Sequence, residues 1–197
     1  MQPDLADRFP LRRTRVHEVC GPGAFVFAAA AAAQDRAEVL WVRRAWQAEM
    51  VNPIGLSAFF DPSRLLIAQT RDQNQALAVA EEALADGAAA LVIVETDRPL
   101  DLRQGRRLQL AAKAGKSTGL CLIPEGMGSN AAETRWRCTP VFDAAAPSCD
   151  STLMRWDLIK NKSGTLGAWH VRWDTASRRL DVVSPAGERP GSPGAPD

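Results

Sequence analysis

The chain contains no tyrosine and only two histidines, His17 and His170. Its four cysteines, Cys20, Cys121, Cys138 and Cys149, are far apart and form no C-x-x-C pair. No zinc site is therefore expected, and the cysteines read as free thiols of a reducing compartment. No apolar run approaches the ~20 residues of a membrane span. The alanine tract at residues 28–33 is too short and too weakly apolar to serve. "MQPDLADRFPLRR" lacks the apolar centre of a signal peptide. Net charge is only +1, so no overall basic field argues for nucleic acid. These absences predict a cytoplasmic protein off the membrane, whose basic surface, if any, is local.

What is present is a globular composition. Hydrophobic residues make up 46% and charged residues 24% of 197 residues, enough for one domain with its own core. Residues 1–14, with their prolines and arginines, read as a flexible arm. Residues 15–184 read as the domain. Residues 185–197 hold four prolines and three glycines and read as a disordered tail.

Within the domain, "VHEVC" (Val16–Cys20) is an expected strand, followed by a helix over Ala24–Gln34. "EVLWVRR" and "LLIAQT" are further strands, joined by a connection broken at Asn52-Pro53 and Asp61-Pro62. "DQNQALAVAEEALADG" has helical apolar spacing and a stop at Gly87. The continuous Leu91–Val94 run implies a strand buried on both faces, as in a parallel sheet. "DLRQGRRLQLAAKAGKS" is another helix and "TGLCLIP" a fifth strand. Four short alternating strands follow, in which Trp169, Val171 and Trp173 share one face. The expected architecture is α/β: a mainly parallel sheet flanked by helices, extended by a C-terminal antiparallel meander.

The stretch "CGPGAFVFA" stands where α/β proteins hold a nucleotide phosphate. Laid on G-x-x-x-x-G-K-[ST] from Gly21, the second glycine falls at Val26, the lysine at Phe27 and the hydroxyl at Ala28. Three parts are lost together: the glycine of the anion-binding backbone nest, the phosphate-binding charge and the magnesium ligand. Gly21, Pro22, Gly23, Val26, Phe27 and Ala28 thus read as a degenerate phosphate loop of unchanged length. Phe25 and Phe27 are expected to fill the old cradle or pack beneath it. Glu95, ending the Leu91–Val94 strand, holds the place of a magnesium-binding acid without a loop to work with. No metal, cofactor or catalytic residue is expected.

The order of these segments resembles the RecA-like fold from about Arg15 to Ser184. "WDLIKNKSG" carries Lys160-Asn161-Lys162, matching the interfacial Lys-Asn-Lys of that fold. More closely, "RVHEVCGP", "PLDLRQGRRLQLAAKAG", "AAETRWRCTP" and "WDLIKNKSGTLGAWHVRWD" resemble the ImuA family. That resemblance implies a non-enzymatic accessory role in SOS-induced translesion synthesis and mutagenesis. The implied partners are ImuB, a polymerase-like protein without catalytic activity, then RecA, and indirectly an error-prone C-family polymerase. Two other readings are a cell-division inhibitor of the SulA type and a recombinase paralogue with residual ATP or single-stranded DNA binding.

Carried over by resemblance, Lys160 and Lys162 reach a nucleotide held by a neighbouring RecA subunit; the plain alternative is a solvated hairpin turn. Arg103, Arg106, Arg107, Lys113 and Lys116 form a basic helix and loop, and Arg135 and Arg137 flank Trp136. Basic residues interleaved with an aromatic can grip single-stranded DNA; the alternative is a solvated face. With six tryptophans in the chain, at least one is expected to be exposed as a binding anchor.

Overall fold

Strands that are apolar on both faces need cover on both sides, and the chain supplies it. A computed structural model describes residues 3–45, 51–143 and 152–185. Nine strands form one sheet: β1 (Val16–Cys20), β2 (Val39–Arg44), β3 (Leu65–Thr70), β4 (Leu91–Glu95), β5 (Thr118–Leu122), β6 (Thr134–Pro140), β7 (Met154–Asn161), β8 (Gly167–Asp174) and β9 (Arg179–Pro185). Their order is β3-β2-β4-β5-β1-β6-β7-β8-β9. The first six run parallel. The last four form the expected antiparallel meander. β6 belongs to both halves, because it pairs parallel with β1 on one side and antiparallel with β7 on the other.

Among the described residues four α-helices accompany the sheet: α1 (Ala24–Ala32), α2 (Pro53–Ser57), α3 (Gln73–Asp86) and α4 (Leu102–Ala114). α1 packs on one face with Trp41, Ile93 and Leu120. α3 and α4 pack on the other, over Val42, Val92 and Cys121. The Asp72 carboxylate caps α3, and Gly87 stops it with φ +78°. A Cβ at Gly87 would lie 2.2 Å from the Gly115 carbonyl oxygen, so the ends of α3 and α4 abut there. As expected, Trp169, Val171 and Trp173 all point into the core. Cys20, Cys121 and Cys138 are buried free thiols; Cys149 lies outside the described residues.

The N-terminal stretch is the main correction. Expected as a flexible arm, its described residues fold down onto the meander. Leu5, Phe9 and Leu11 join the core cluster of α1. The Phe9 ring sits 5.1 Å from that of Trp156, and Trp169 Nε1 donates to the Pro3 carbonyl, 3.1 Å. Prolines and arginines dominate this stretch by count, but its three apolar residues decide where it goes. The expected tail beyond Pro185 lies outside the described residues.

His17 fastens this stretch to the sheet. Its Nε2 donates to the Arg12 carbonyl, 2.9 Å, and its Nδ1 accepts from Thr134 Oγ1, 2.7 Å. Trp136 Nε1 donates to that same hydroxyl, 3.0 Å, leaving its proton for the imidazole. Burial holds the His17 pKa down at about 4, although the Arg12 hydrogen bond acts the other way. The folded state thus prefers neutral imidazole. That stability is complete above the ordinary value near 6.5 and is lost as pH falls through about 4. The loss amounts to about 3 kcal/mol at roughly 1.4 kcal/mol per pKa unit. Urea midpoints measured from pH 7.5 downward are expected to fall most steeply below 6.5, and His17→Gln to flatten that slope. An equal slope in the variant rules His17 out as the cause.

Candidate functional site

The turn after β1 decides whether a phosphate can be held. Gly21 takes φ +88°, and a Cβ there would lie 2.6 Å from the Cys138 carbonyl oxygen. Gly23 donates its N–H to that oxygen, 2.9 Å, while Ala24 N–H donates to Gly21 O, 3.0 Å. The backbone is therefore pressed against β6, and helix α1 begins at Ala24. The expected loop of unchanged length is absent. A three-residue turn, Gly21-Pro22-Gly23, takes its place, and Val26, Phe27 and Ala28 lie inside α1.

Phe27 is fully buried. Its ring sits 4.6 Å from Trp156, 5.4 Å from Trp136 and 5.6 Å from Phe9, centre to centre. Phe25 does not join it. Two residues apart on a helix, the rings leave opposite sides, and Phe25 stays half exposed, stacked at 5.6 Å on Trp41. Only Phe27 packs beneath the turn as expected.

One oxygen of the Glu95 carboxylate is shared between two neighbours, while Oε2 is buried without a hydrogen-bond partner among the described residues. Trp41 Nε1 donates to its Oε1, 2.8 Å, and Arg43 Nε lies 3.3 Å from the same oxygen. All three side chains are buried, so the strand-end acid serves as counter-charge to an arginine. Among the described residues no cluster of His, Cys, Asp and Glu could hold a metal ion.

A second group of polar residues fixes the connection from β5 to β6. Glu18, buried in β1, accepts from Ser129 N–H at 2.7 Å and from Arg135 Nε at 2.8 Å. Arg135 also donates to Ser129 O, 3.0 Å. Lys160 Nζ donates to Ala132 O, and Lys162 Nζ to Ala131 O, 2.6 Å. Gln109 of α4 donates to Ala131 O and Val16 O. The Lys-Asn-Lys turn is solvent-exposed from Lys162 to Leu166, but its lysines are tied down within the chain. Its ammonium groups clamp the chain's own carbonyls, and Asn161 Oδ1 closes the turn on Ser163 N–H, 3.1 Å. Burial, then the charges of Lys162 and Arg135, lower the Lys160 pKa. Glu18 escaped the sequence reading, though an acid inside a buried strand was itself a signal that a cation must come to it.

The basic helix divides. Arg107 pairs with Glu81 across to α3, and Arg137 with Glu125, 3.0 Å. Trp136 is wholly buried, so it cannot stack on a base, and the Arg135-Trp136-Arg137 grip on single-stranded DNA falls. All five described tryptophans are buried; Trp46 lies outside the described residues. Arg103, Arg106 and Lys113 are exposed and have no ion pair among the described residues. Arg106 and Lys162 share a surface cleft of about 310 Å3 with Leu102, Gln109, Leu110, Asn130 and Ala131. Leu102 and Leu110 of α4 do not reach the core, being 47% and 69% exposed. Leu108, with Gly105, Ala111 and Ala112, forms the buried side instead.

A scan against protein-family models finds no match. Two proteins named Protein ImuA, from Caulobacter vibrioides strains NA1000/CB15N and ATCC 19089/CB 15, are each 31% identical to this chain over 180 residues. The similarity covers 78% of this chain and 72% of theirs. The RadB recombinase crystal structure superposes with a TM-score of 0.63 over 85% of this chain and 90% of that one. Its identity is 14%, so it shows the fold alone, which is RecA-like.

Proposed function

The chain belongs to the ImuA family, and from that premise we propose that it is a non-catalytic accessory protein of damage-induced translesion synthesis and mutagenesis. It works by contact with other proteins in the cytoplasm, ImuB first and RecA second, and through ImuB with the error-prone polymerase. The observation that carries the non-catalytic half is the turn at Gly21–Gly23. It is pressed on Cys138 with Phe27 buried behind it, and the Gly23 and Ala24 N–H groups, which a phosphate nest would use, are spent on the Cys138 and Gly21 carbonyls. The expected lysine contact with a nucleotide on a neighbouring subunit is not part of the proposal, because Lys160 and Lys162 already serve carbonyls of their own chain.

The accessory role predicts that deleting the gene abolishes the rise in mutation frequency after ultraviolet damage, and that the wild-type chain restores it. An unchanged rise in the deletion strain removes the role. The non-catalytic half is separate: titration with ATP and magnesium is expected to give no heat up to roughly millimolar nucleotide, the weak end of specific binding. Binding tighter than that overturns it.

A further inference from the structure

We propose that the exposed face of α4, with the cleft beside it, docks an acidic amphipathic segment of a partner protein. The inference rests on reading the chain as an interaction protein and names the surface and the chemistry it recognises. Leu102, Arg106 and Leu110 follow one another at four-residue intervals, and Lys113 continues the same side. Arg103 borders them. α4 contains no acidic residue from Leu102 to Ala114. All five of these exposed residues are leucines or cations without an ion pair among the described residues, so apolar surface and positive charge alternate along one open face.

The surface is also preformed. A Cβ on Gly105 would lie 2.5 Å from Ser129 Oγ and 2.7 Å from the Ala131 side chain, so α4 lies directly against the 129–132 connection. Gln109 bonds to that connection and to β1. Lys162 holds it from the other side and lines the cleft. Little ordering is left for a partner to impose.

The chemistry selects the partner. An apolar side chain entering the cleft meets Leu102 and Leu110. Carboxylates one helical turn to either side meet Arg106 and Lys113, a helix-in-groove mode with complementary charge. Single-stranded DNA fits less well: the exposed centre is aliphatic and the face offers no aromatic ring for base stacking.

The test uses the full chain and a fluorescein-labelled helical peptide bearing leucines four residues apart, flanked by glutamates. Anisotropy is expected to rise on binding, more weakly at higher salt. A peptide with lysines in place of the glutamates is expected not to bind. Arg106→Glu with Lys113→Glu, and separately Leu102→Glu with Leu110→Glu, should each weaken binding at least about tenfold. Arg36→Glu, exposed but elsewhere, should leave it unchanged. Equal binding of both peptides, or wild-type binding by the α4 variants, overturns the proposal. So does displacement of the peptide by an oligodeoxynucleotide in an Arg106-dependent way, which assigns the face to nucleic acid. These readouts do not involve mutation frequency, so this inference and the accessory role can fail separately.

Discussion

Phe27→Lys, which restores the lysine of the phosphate-loop pattern, is expected to unfold the protein and not to create a nucleotide site. The new ammonium would sit on the inner side of α1, where Phe9, Trp136 and Trp156 now surround the ring. No carboxylate is placed there to receive it. Removing a buried phenyl ring alone costs about 3–5 kcal/mol, and an unpaired buried charge adds several more. Set against a total stability of roughly 5–15 kcal/mol, little or nothing remains. Urea unfolding followed by tryptophan fluorescence is the measurement. Phe25→Lys is the control, expected to be mild because that ring is half exposed. A Phe27→Lys protein with a wild-type midpoint, or one that binds ATP, contradicts the arrangement described for α1.

Glu18→Ala carries the second large effect. It removes the acceptor of the Ser129 N–H and leaves Arg135 without its counter-charge. Breaking one side of such a buried pair costs about 3–5 kcal/mol. Glu18→Ala together with Arg135→Ala is expected to cost less than the sum of the two single changes, because the double variant strands no charge. Hydrogen exchange at residues 129–133 should quicken in Glu18→Ala. A single variant within about 0.5 kcal/mol of wild type, the range of ordinary surface changes, would show that the carboxylate holds nothing.

Much of the sheet was readable because its signals are local. β1 and β3 span Val16–Cys20 and Leu65–Thr70, as expected from the sequence, and Asp72 and Gly87 mark α3 by capping chemistry. Trp169, Val171 and Trp173 announce their face by alternation alone. The parts that misled are settled at long range. Arg12 looks like part of a charged arm until Glu133, which also pairs with Arg15, reaches it. Lys160 and Lys162 look like cations without partners until the 130–132 carbonyls are placed beside them. Trp136 looks like a base-stacking residue between two arginines, but its neighbours in space are Phe27 and Trp156. The turn at Gly21 misled for another reason: its spacing fits a known pattern, whereas the Cys138 carbonyl it packs on belongs to the adjacent strand β6, far away in sequence.

The clasp between the N-terminal stretch and the meander sets an order of events during synthesis. A ribosome releases Leu5, Phe9 and Leu11 long before it makes Trp156 and Trp169, the side chains that cover them. Until β7 and β8 emerge, those apolar residues and the inner side of α1 have no lid. A nascent or truncated chain ending before β7 would therefore display a sticky surface to chaperones and proteases, and the finished protein would be released as a unit only once its last strands are in place.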